Sequence, residues 1–417
     1  MEYQQNNYHK IYGRVLRKND LGGILFLDLQ LFTVPPRSIQ IVIEKTLSDL
    51  IFEDAKNINL GDIIYVEGEK YTTKRGVESI LAKRVEYVTH NKSTEFMGGK
   101  KSRTLNYKEK YMQLSANPEE FEYQAFIHEL TFQIRKSLYE RDFIEFDTGI
   151  LRSEYDGGLS KPFETFSNAL NKKLYLRASM EISLKKLLAA GYPKVFEIGR
   201  VFRNEGYNRK ISPEFTLLEC YEAFSDYRQM EKLLEEIIKE SIRRAIKKYP
   251  NFEEAVKPLL GDWERMDFDT LVNKLYEGRD ELSIGFPTKE ENRKLLKSII
   301  AKVESPTIIT NLPSDIFIFS RTSKNDKAEA SVLAAYGEYI SDIYTDENDP
   351  DIIEKRLLEQ SQISGNPINE SLIKLLKFGV PPSAGFGVGL NRLFLIIRKM
   401  KGLSDDIRNA FIYRPLE

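Results

Sequence analysis

Residues 196–224, FEIGRVFRNEGYNRKISPEFTLLECYEAF, predict a β-hairpin in which a charged turn and a polar loop join two apolar strands. The tip of this hairpin carries Arg, Asn, Glu and Lys side chains. We therefore expect the tip to face a polyanionic ligand and not to pack in the protein core. Arg203 can donate two parallel hydrogen bonds to a phosphate, Glu205 can accept from an exocyclic amine, and Phe215 can stack on a purine. The alternative is an ordinary hairpin with a solvated loop.

Size and charge set the class of protein. A chain of 417 residues that is 41% hydrophobic is expected to hold two domains with substantial cores. Lys and Arg total 62 against 63 for Asp and Glu, which excludes nucleic-acid binding through bulk positive charge. A nucleic-acid partner must therefore meet a local patch. The lysine-rich residues 91–112 are a candidate, and a plain solvated linker is the alternative.

Cysteine and histidine usage narrows the chemistry. The single cysteine, Cys220, excludes an internal disulfide framework and a cysteine-based zinc site. The histidines His9, His90 and His128 are too scattered to suggest a ligand cluster. The N-terminus lacks the features of a targeting segment, and no run approaches the ~20 apolar residues of a membrane span. We therefore expect a cytoplasmic enzyme without a membrane partner.

The first ninety residues predict a small closed barrel. Five short strands separated by Gly, Asn, Asp and Pro lie between residues 11 and 88, a density typical of an OB-fold. Such barrels bind single-stranded nucleic acid through stacking side chains over a charged groove. We assign residues 1–90 to this domain and residues 91–112 to a linker.

The rest of the chain mixes helices and strands. A helix is predicted over residues 118–140, a strand over 143–151, helices over 224–245 and 289–303, and a buried strand in PTIITNLP. The end of the chain passes from a glycine-rich strand, GFGVG, into an apolar helix. The predicted fold class is α+β.

Three segments resemble the motifs of the class II aminoacyl-tRNA synthetases. FRNEG with PEFT resembles motif 2, GFGVGLNRL resembles motif 3, and ECYEAFSDY is most similar to the lysyl branch. The resemblance implies an OB-fold that binds an anticodon, followed over residues 113–417 by a catalytic domain with a central antiparallel sheet flanked by helices. Residues 118–151 resemble motif 1, which implies a homodimer. A helix that packs only within its own chain is the alternative.

The resemblance also implies roles for two arginines. In this family the carboxylate of an amino acid attacks the α-phosphorus of ATP, so the protein must hold two anions in line. Arg203 would bind the α-phosphate and the carboxylate, and Arg392 the γ-phosphate, as catalytic residues. Glu205 and Phe215 would bind the adenine. Without the resemblance, an arginine at the start of a helix, such as Arg392, is more commonly a surface residue.

Acidic residues in apolar surroundings are candidates for binding an ammonium group. Glu219 and Tyr221 lie two apart on one strand face and match the residues that hold the side-chain amine of lysine in the family. A solvent-facing polar strand face is the alternative. Further matches are Glu181 and Gly158 for the α-amino group, Asp346 for an ammonium group of the substrate, and Asp342 at the substrate carboxylate.

Several positions depart from the family pattern. Asp342 replaces an asparagine, and the two magnesium-ligand positions carry Val332 and Tyr339. Glu329 and Glu338 are near enough in sequence to take over Mg²⁺ binding.

In the barrel, the resemblance implies that Phe26 and Gln40 contact an anticodon base of tRNA. A core position for Phe26 and a surface position for Gln40 are the alternatives.

Three functions are compatible with these features. The first is ATP-dependent activation of lysine and its transfer to tRNA. The second is a paralogue that activates another amino acid, or transfers it to a different acceptor, as the changes at Asp342, Tyr339 and Val332 suggest. The third is an inactive RNA-binding or sensor homologue, which retention of Arg203 and Arg392 disfavours.

Overall fold

The computed structural model describes residues 2–412 except residues 6–7, 36, 94–109, 277–288 and 324. Most of the lysine-rich segment predicted as a linker therefore lies outside the described residues. The chain divides into two compact units, residues 1–128 and 129–416.

The first unit contains a closed β-barrel. Its strands are β1 (Glu2–Gln5), β2 (Tyr8–Asp20), β3 (Ile24–Leu31), β4 (Ser38–Glu44), β5 (Ile63–Thr72) and β6 (Glu78–Thr89). They pair in the order β1-β2-β3-β4-β6-β5, and β2 also pairs with β5, which closes the sheet on itself. The barrel confirms the predicted OB-fold.

Alternation of side chains along these strands fills the barrel. In β3 the leucines Leu25, Leu27 and Leu29 are fully buried, whereas the residues between them are partly exposed. A helix that the sequence analysis did not predict, α1 (Asp49–Ala55), packs Phe52 into the same core. Its N-cap is Ser48, whose hydroxyl accepts a hydrogen bond from the backbone N–H of Ile51.

The second unit is built on an eight-stranded sheet in the order β13-β14-β15-β16-β17-β12-β11-β7. Its inner strands pair antiparallel, and only the edge pairs β13–β14 and β11–β7 are parallel. The strands are β7 (Ile144–Glu145), β11 (Lys194–Phe202), β12 (Glu214–Ala223), β13 (Glu264–Asp267), β14 (Thr307–Thr310), β15 (Ala330–Ala335), β16 (Glu338–Thr345) and β17 (Ser383–Gly389). The predicted α+β class with a central antiparallel sheet is confirmed.

The described helices beyond the barrel are α2 (Lys110–Ala116), α3 (Pro118–Tyr139), α4 (Glu181–Ala189), α5 (Tyr227–Lys248), α6 (Glu253–Leu260), α7 (Phe268–Tyr276), α8 (Lys289–Ile300), α9 (Pro350–Ser364), α10 (Glu370–Phe378) and α11 (Leu390–Met400). The N-cap of α5 is Asp226, whose carboxylate accepts from the N–H groups of Arg228 and Gln229. None of the described helices combines the length and the apolar content that crossing a membrane requires.

The strand predicted over residues 143–151 is much shorter in the structure. It is split into β7 and the two-residue strand β8 (Leu151–Arg152), which pairs in a three-stranded sheet with β10 (Lys172–Leu176) and β9 (Glu164–Ser167). Between the two pieces, the N–H and the hydroxyl of Thr148 donate to Glu197. Its carbonyl accepts from Arg177. These side-chain bonds replace a backbone ladder at this point.

Candidate active site

The hairpin of β11 and β12 brings Arg203 and Phe215 together. The two strands pair antiparallel without a break, and the backbone N–H of Arg203 then donates to the carbonyl of Pro213 at 2.8 Å. The guanidinium carbon of Arg203 lies 5.2 Å from the centre of the Phe215 ring. Glu205 lies exposed in the turn that follows. A guanidinium beside an aromatic face can hold a phosphate while the ring offers a surface for stacking.

A row of three paired residues forms part of the cleft next to this hairpin. The register pairs Glu219 with Gly387 and Gly387 with Asp342, so the two carboxylates flank a glycine on one face of the sheet. Their backbones are two strand spacings apart, roughly 10 Å. A Cβ atom on Gly387 would meet its nearest neighbour, Leu217, at 3.9 Å. All three residues line a cleft of about 240 Å³, which Arg203 also lines.

The neighbouring row depends on a second glycine. Tyr221 and Tyr344 flank Gly385, and a Cβ atom on Gly385 would lie 2.2 Å from a ring carbon of Tyr221. Glycine therefore allows the Tyr221 ring to lie against β17. In that position the Tyr221 hydroxyl donates to Glu219 at 2.8 Å.

We expect Gly385→Ala to destabilise the protein by about 1–3 kcal/mol, since the added methyl group overpacks the Tyr221 ring. Urea denaturation measures the loss. Gly387→Ala is the matched control because its methyl group would meet only ordinary contacts, and we expect it to cost less than about 1 kcal/mol. Equal losses in the two variants would contradict this account of Gly385.

Glu219 is a buried carboxylate that the chain itself leaves without a cation. It is 4% exposed and accepts hydrogen bonds from the Ser179 hydroxyl, the Met180 backbone N–H and the Tyr221 hydroxyl. Among the described residues it forms no ion pair. Burial is the main cause that raises the pKa of Glu219 to about 7, and the negative charge of Glu181 acts in the same direction. A cationic ligand bound beside Glu219 would lower this pKa toward its ordinary value.

Lys185, which the sequence analysis missed, occupies a cage formed by the chain. Its Nζ lies 2.6 Å from Glu181 and 2.8 Å from Asp346. Three aromatic rings also face the ammonium at 5.4–5.7 Å from their centres, those of Tyr221, Phe319 and Tyr344. Burial by itself lowers the pKa of Lys185, but the carboxylates of Asp346 and Glu181 outweigh it and raise the pKa above its ordinary value.

This cage changes the expected roles of Asp346 and Glu181. Asp346 is 1% exposed, and its carboxylate also accepts from the Ser383 hydroxyl at 2.5 Å. The side chain predicted to bind a substrate ammonium thus already holds an ammonium of the chain itself. Glu181 lines the cleft, and it accepts from the Tyr344 hydroxyl at 2.7 Å as well as from Lys185.

Asp342 lies in the cleft with one buried oxygen, Oδ1, that makes no hydrogen bond with any described residue. Burial raises the pKa of its carboxyl to about 7, although the Arg203 and Arg392 guanidinium charges act in the opposite direction. The carboxyl group can therefore change its charge near neutral pH.

Arg392 lies in the first turn of α11, directly after the glycine strand. Its Nη1 donates to the carbonyl of Tyr339 at 3.0 Å, and its guanidinium carbon lies 5.9 Å from the centre of the Tyr339 ring. Burial, together with the positive charge of Arg203, lowers the pKa of Arg392, while Glu338 and Asp342 act in the opposite direction. The two predicted anion-binding residues, 189 positions apart in sequence (392 − 203), are thus near enough to interact electrostatically.

Gly158 lines the same cleft with its backbone in the left-handed region, at φ +56°. Gln360 in α9, Arg293 in α8 and Phe319 also line it, and the sequence analysis predicted none of them. Lys185 carried a detectable signal, because it follows Glu181 by four residues in α4, a spacing at which a glutamate and a lysine can pair. No local pattern marked Arg293 or Gln360.

The two predicted metal ligands do not lie together. Ala335 at the end of β15 pairs with Glu338 at the start of β16, whereas Glu329 precedes β15 at the other end of the hairpin. One ion cannot contact both carboxylates, which corrects the prediction of a joint site. Glu338 also binds Lys399 at 2.6 Å. Within the described part of the chain, no three His, Cys, Asp or Glu side chains form a group that could hold a metal.

The barrel has a cleft of its own, with a volume of about 560 Å³, lined by both Phe26 and Gln40. The Ser79 hydroxyl donates to Gln40 Oε1 at 3.1 Å, and Gln40 Nε2 donates to Asp28 at 3.5 Å. The Phe26 side chain is only partly buried and therefore does not belong to the barrel core. The lining also includes three cationic residues and a tyrosine, Arg17, Lys74, Arg75 and Tyr71, together with the carboxylates of Asp28 and Glu44. This composition suits single-stranded nucleic acid.

Comparison with protein families gives two matches. The model for class II tRNA synthetases (D, K and N) matches residues 102–413, and the model for an OB-fold nucleic acid binding domain matches residues 9–88.

Individual relatives extend over nearly the whole chain. A lysine–tRNA ligase 2 of Methanosarcina acetivorans is 31% identical, with 95% of this chain and 83% of the relative covered. A lysine–tRNA ligase of Prochlorococcus marinus is also 31% identical, with 95% and 85% covered. A lysine–tRNA ligase of Dehalococcoides mccartyi is 28% identical, with 100% and 89% covered.

Proposed function

The chain belongs to the class II aminoacyl-tRNA synthetases, and from this premise we propose that it activates lysine with ATP and transfers the lysyl group to the 3′ end of a lysine tRNA. The family makes it a ligase that acts on an amino acid and tRNA. The choice of lysine rests on one observation above all. Glu219 is a buried carboxylate without a cation, in a cleft that Arg203 also lines.

Burial of an unpaired carboxylate is costly unless a ligand supplies the missing charge. A lysine ammonium at Glu219, also contacting the Tyr221 hydroxyl, would supply it. The substrate carboxylate would then lie toward Asp342, whose backbone is roughly two strand spacings from that of Glu219 across Gly387, in the cleft that Arg203 also lines. This orientation uses the row that links Glu219 to Asp342 and needs no rearrangement of the sheet.

ATP would be bound by the opposite set of groups. Phe215 would stack on the adenine, Glu205 would accept from its amine, and Arg203 would hold the α-phosphate as the lysine carboxylate attacks it. Arg392 would hold the distal phosphates, so pyrophosphate leaves toward α11. Class II synthetases generally use Mg²⁺ with ATP, but Val332 and Tyr339 offer no carboxylate for it. We therefore assign no step to a metal ion bound by the protein.

The tRNA and a second subunit complete the proposal. The barrel cleft with Phe26 and Gln40 would bind anticodon bases. A homodimer would form through the segment of α3 and β7, where the apolar side chains of Phe132, Tyr139 and Ile144 are 56%, 54% and 42% exposed. Gly158, Glu181 and, through Lys185, Asp346 would position the amino acid.

A second candidate keeps adenylate formation but changes the amino acid or its acceptor. Two observations favour it: Asp342 carries an unpartnered oxygen at the proposed carboxylate position, and Lys185 already occupies Asp346. Both lie where the amino acid would bind rather than where ATP would.

ATP–pyrophosphate exchange tests the proposal. We expect exchange that depends on lysine and is at least about 100-fold weaker with arginine, whose planar head group fits an ammonium site poorly. Charging of total tRNA then separates the candidates, since accumulation of lysyl-tRNA excludes another acceptor. Absence of exchange with all twenty amino acids would refute the first candidate.

A further inference from the structure

The oxygen Oδ1 of Asp342 is buried, makes no hydrogen bond with a described residue and belongs to a side chain that lines the cleft. A buried polar atom without a partner is costly unless a ligand completes it. Building on the function proposed above, we propose that Asp342 binds the substrate carboxylate as a neutral carboxylic acid, whose O–H donates to it. Once Asp342 loses its proton, amino-acid binding weakens.

An anion bound by Arg203 would lie near Asp342. Arg203 lines the same cleft and acts electrostatically on Asp342, so an anionic group held by Arg203 comes close to Asp342. A charged Asp342 would repel that group and compete with it for the guanidinium. A protonated Asp342 would instead supply a hydrogen-bond donor. The two protonation states therefore have opposite effects on the same ligand.

The charged groups around Asp342 come from several elements. Arg203, Arg392 and Glu181 act on its pKa directly. Other titratable groups that line the cleft or share the strand β16 are Asp156, Glu219, Tyr221, Arg293, Tyr344, Glu338 and Tyr339. Glu338 is neutralised by Lys399. The combined effect, dominated by burial, raises the pKa of Asp342 to about 7, so its charge changes near neutral pH.

Glu219 has the opposite effect on binding. Its pKa is also raised to about 7, but its ionised form is the one that attracts an ammonium group. Protonation of Glu219 weakens binding as the pH falls, whereas ionisation of Asp342 weakens binding as the pH rises. Lysine affinity is therefore expected to pass through a maximum near neutral pH, and only the alkaline decline belongs to Asp342.

Calorimetry with lysine and with lysinol separates the alkaline loss of affinity due to Asp342 from other pH effects. Lysinol carries the same two ammonium groups as lysine and a hydroxymethyl group in place of the carboxylate. For the full-length wild type, we expect the ratio of the Kd of lysine to the Kd of lysinol to rise by up to about tenfold per pH unit from pH 7 to pH 9. Asp342→Asn, which donates at every pH, should show a constant ratio over that range.

The outcomes are distinct. A constant ratio in the wild type, or the same rise in Asp342→Asn, would overturn the role of Asp342 while leaving lysine binding intact. Failure of both ligands to bind at any pH would overturn the proposed function and this inference with it.

Thermal unfolding controls for the fold of the variant. A raised pKa gives a stability contribution that is present below the unfolded-state pKa and lost as the pH rises through about 7. Asp342→Asn should therefore unfold at the same or a higher temperature than the wild type at pH 8.5. A lower temperature would show that the ionised carboxylate stabilises the cleft, against the proposal.

Discussion

Replacing Arg203 by alanine is expected to lower lysine-dependent ATP–pyrophosphate exchange by about 100-fold or more, the scale seen when a donor to a developing charge is removed. Arg203 would neutralise the α-phosphate and the attacking carboxylate together, and its place beside Phe215 holds it at the cleft. The loss should appear mainly in kcat if the contact strengthens in the transition state.

Two further variants sharpen this test. Arg203→Lys keeps the charge but loses the planar fork, so we expect an intermediate loss. Arg265→Ala is the matched control: Arg265 is exposed on the edge strand β13, pairs with Glu235 at 2.8 Å and should leave exchange nearly unchanged. An Arg203→Ala effect below about threefold would show that the guanidinium does not act on the reacting groups.

Lys185→Met is expected to destabilise the protein by about 3–5 kcal/mol, because it leaves the carboxylates of Glu181 and Asp346 buried without their cation. The Lys185 side chain is only 5% exposed, so water cannot replace the lost charge. Urea denaturation at pH 7 measures the change. Adding Asp346→Asn to this variant should recover part of the stability, because it removes one of the unpaired charges.

Lys239→Met is the matched control for this prediction. Lys239 also binds a glutamate one turn earlier, Glu235 at 2.6 Å, and lies 5.6 Å from the centre of the Trp263 ring. Glu235 keeps Arg265 as a second cation when Lys239 is lost. We therefore expect a loss of about 1 kcal/mol or less. If both lysine variants lost the same stability, the cage around Lys185 would have no special role.

Local patterns predicted much of the fold. The barrel strands follow from alternating apolar residues between turn formers, and β11 and β12 follow from the FRNEG turn between two apolar runs. Prediction was less successful where side chains replace backbone pairing. Thr148 bonds to Glu197, 49 residues away, and so interrupts the strand expected over residues 143–151.

The candidate site was predicted only in part. The motifs predicted four residues of the candidate site, Arg203, Phe215, Glu219 and Arg392. The contacts around these residues, however, join positions that are far apart in the sequence. Glu181 meets Tyr344 across 163 residues, for example. Pairing of this kind cannot be derived from the local pattern around either residue. The joint metal site of Glu329 and Glu338 failed for the same reason, since the hairpin register separates them.

By itself, the sequence determined the α+β class, the barrel and the two arginine-bearing motifs, because period-two apolar patterns and turn residues act over a few positions. Only the tertiary structure decided which charges are paired. In the folded protein Asp346 forms an ion pair with Lys185, whereas Glu219 has no cation and one oxygen of Asp342 has no hydrogen-bond partner among the described residues. The physical reason is that the charge state and the partner of a buried group depend on burial and on neighbours from distant strands and helices.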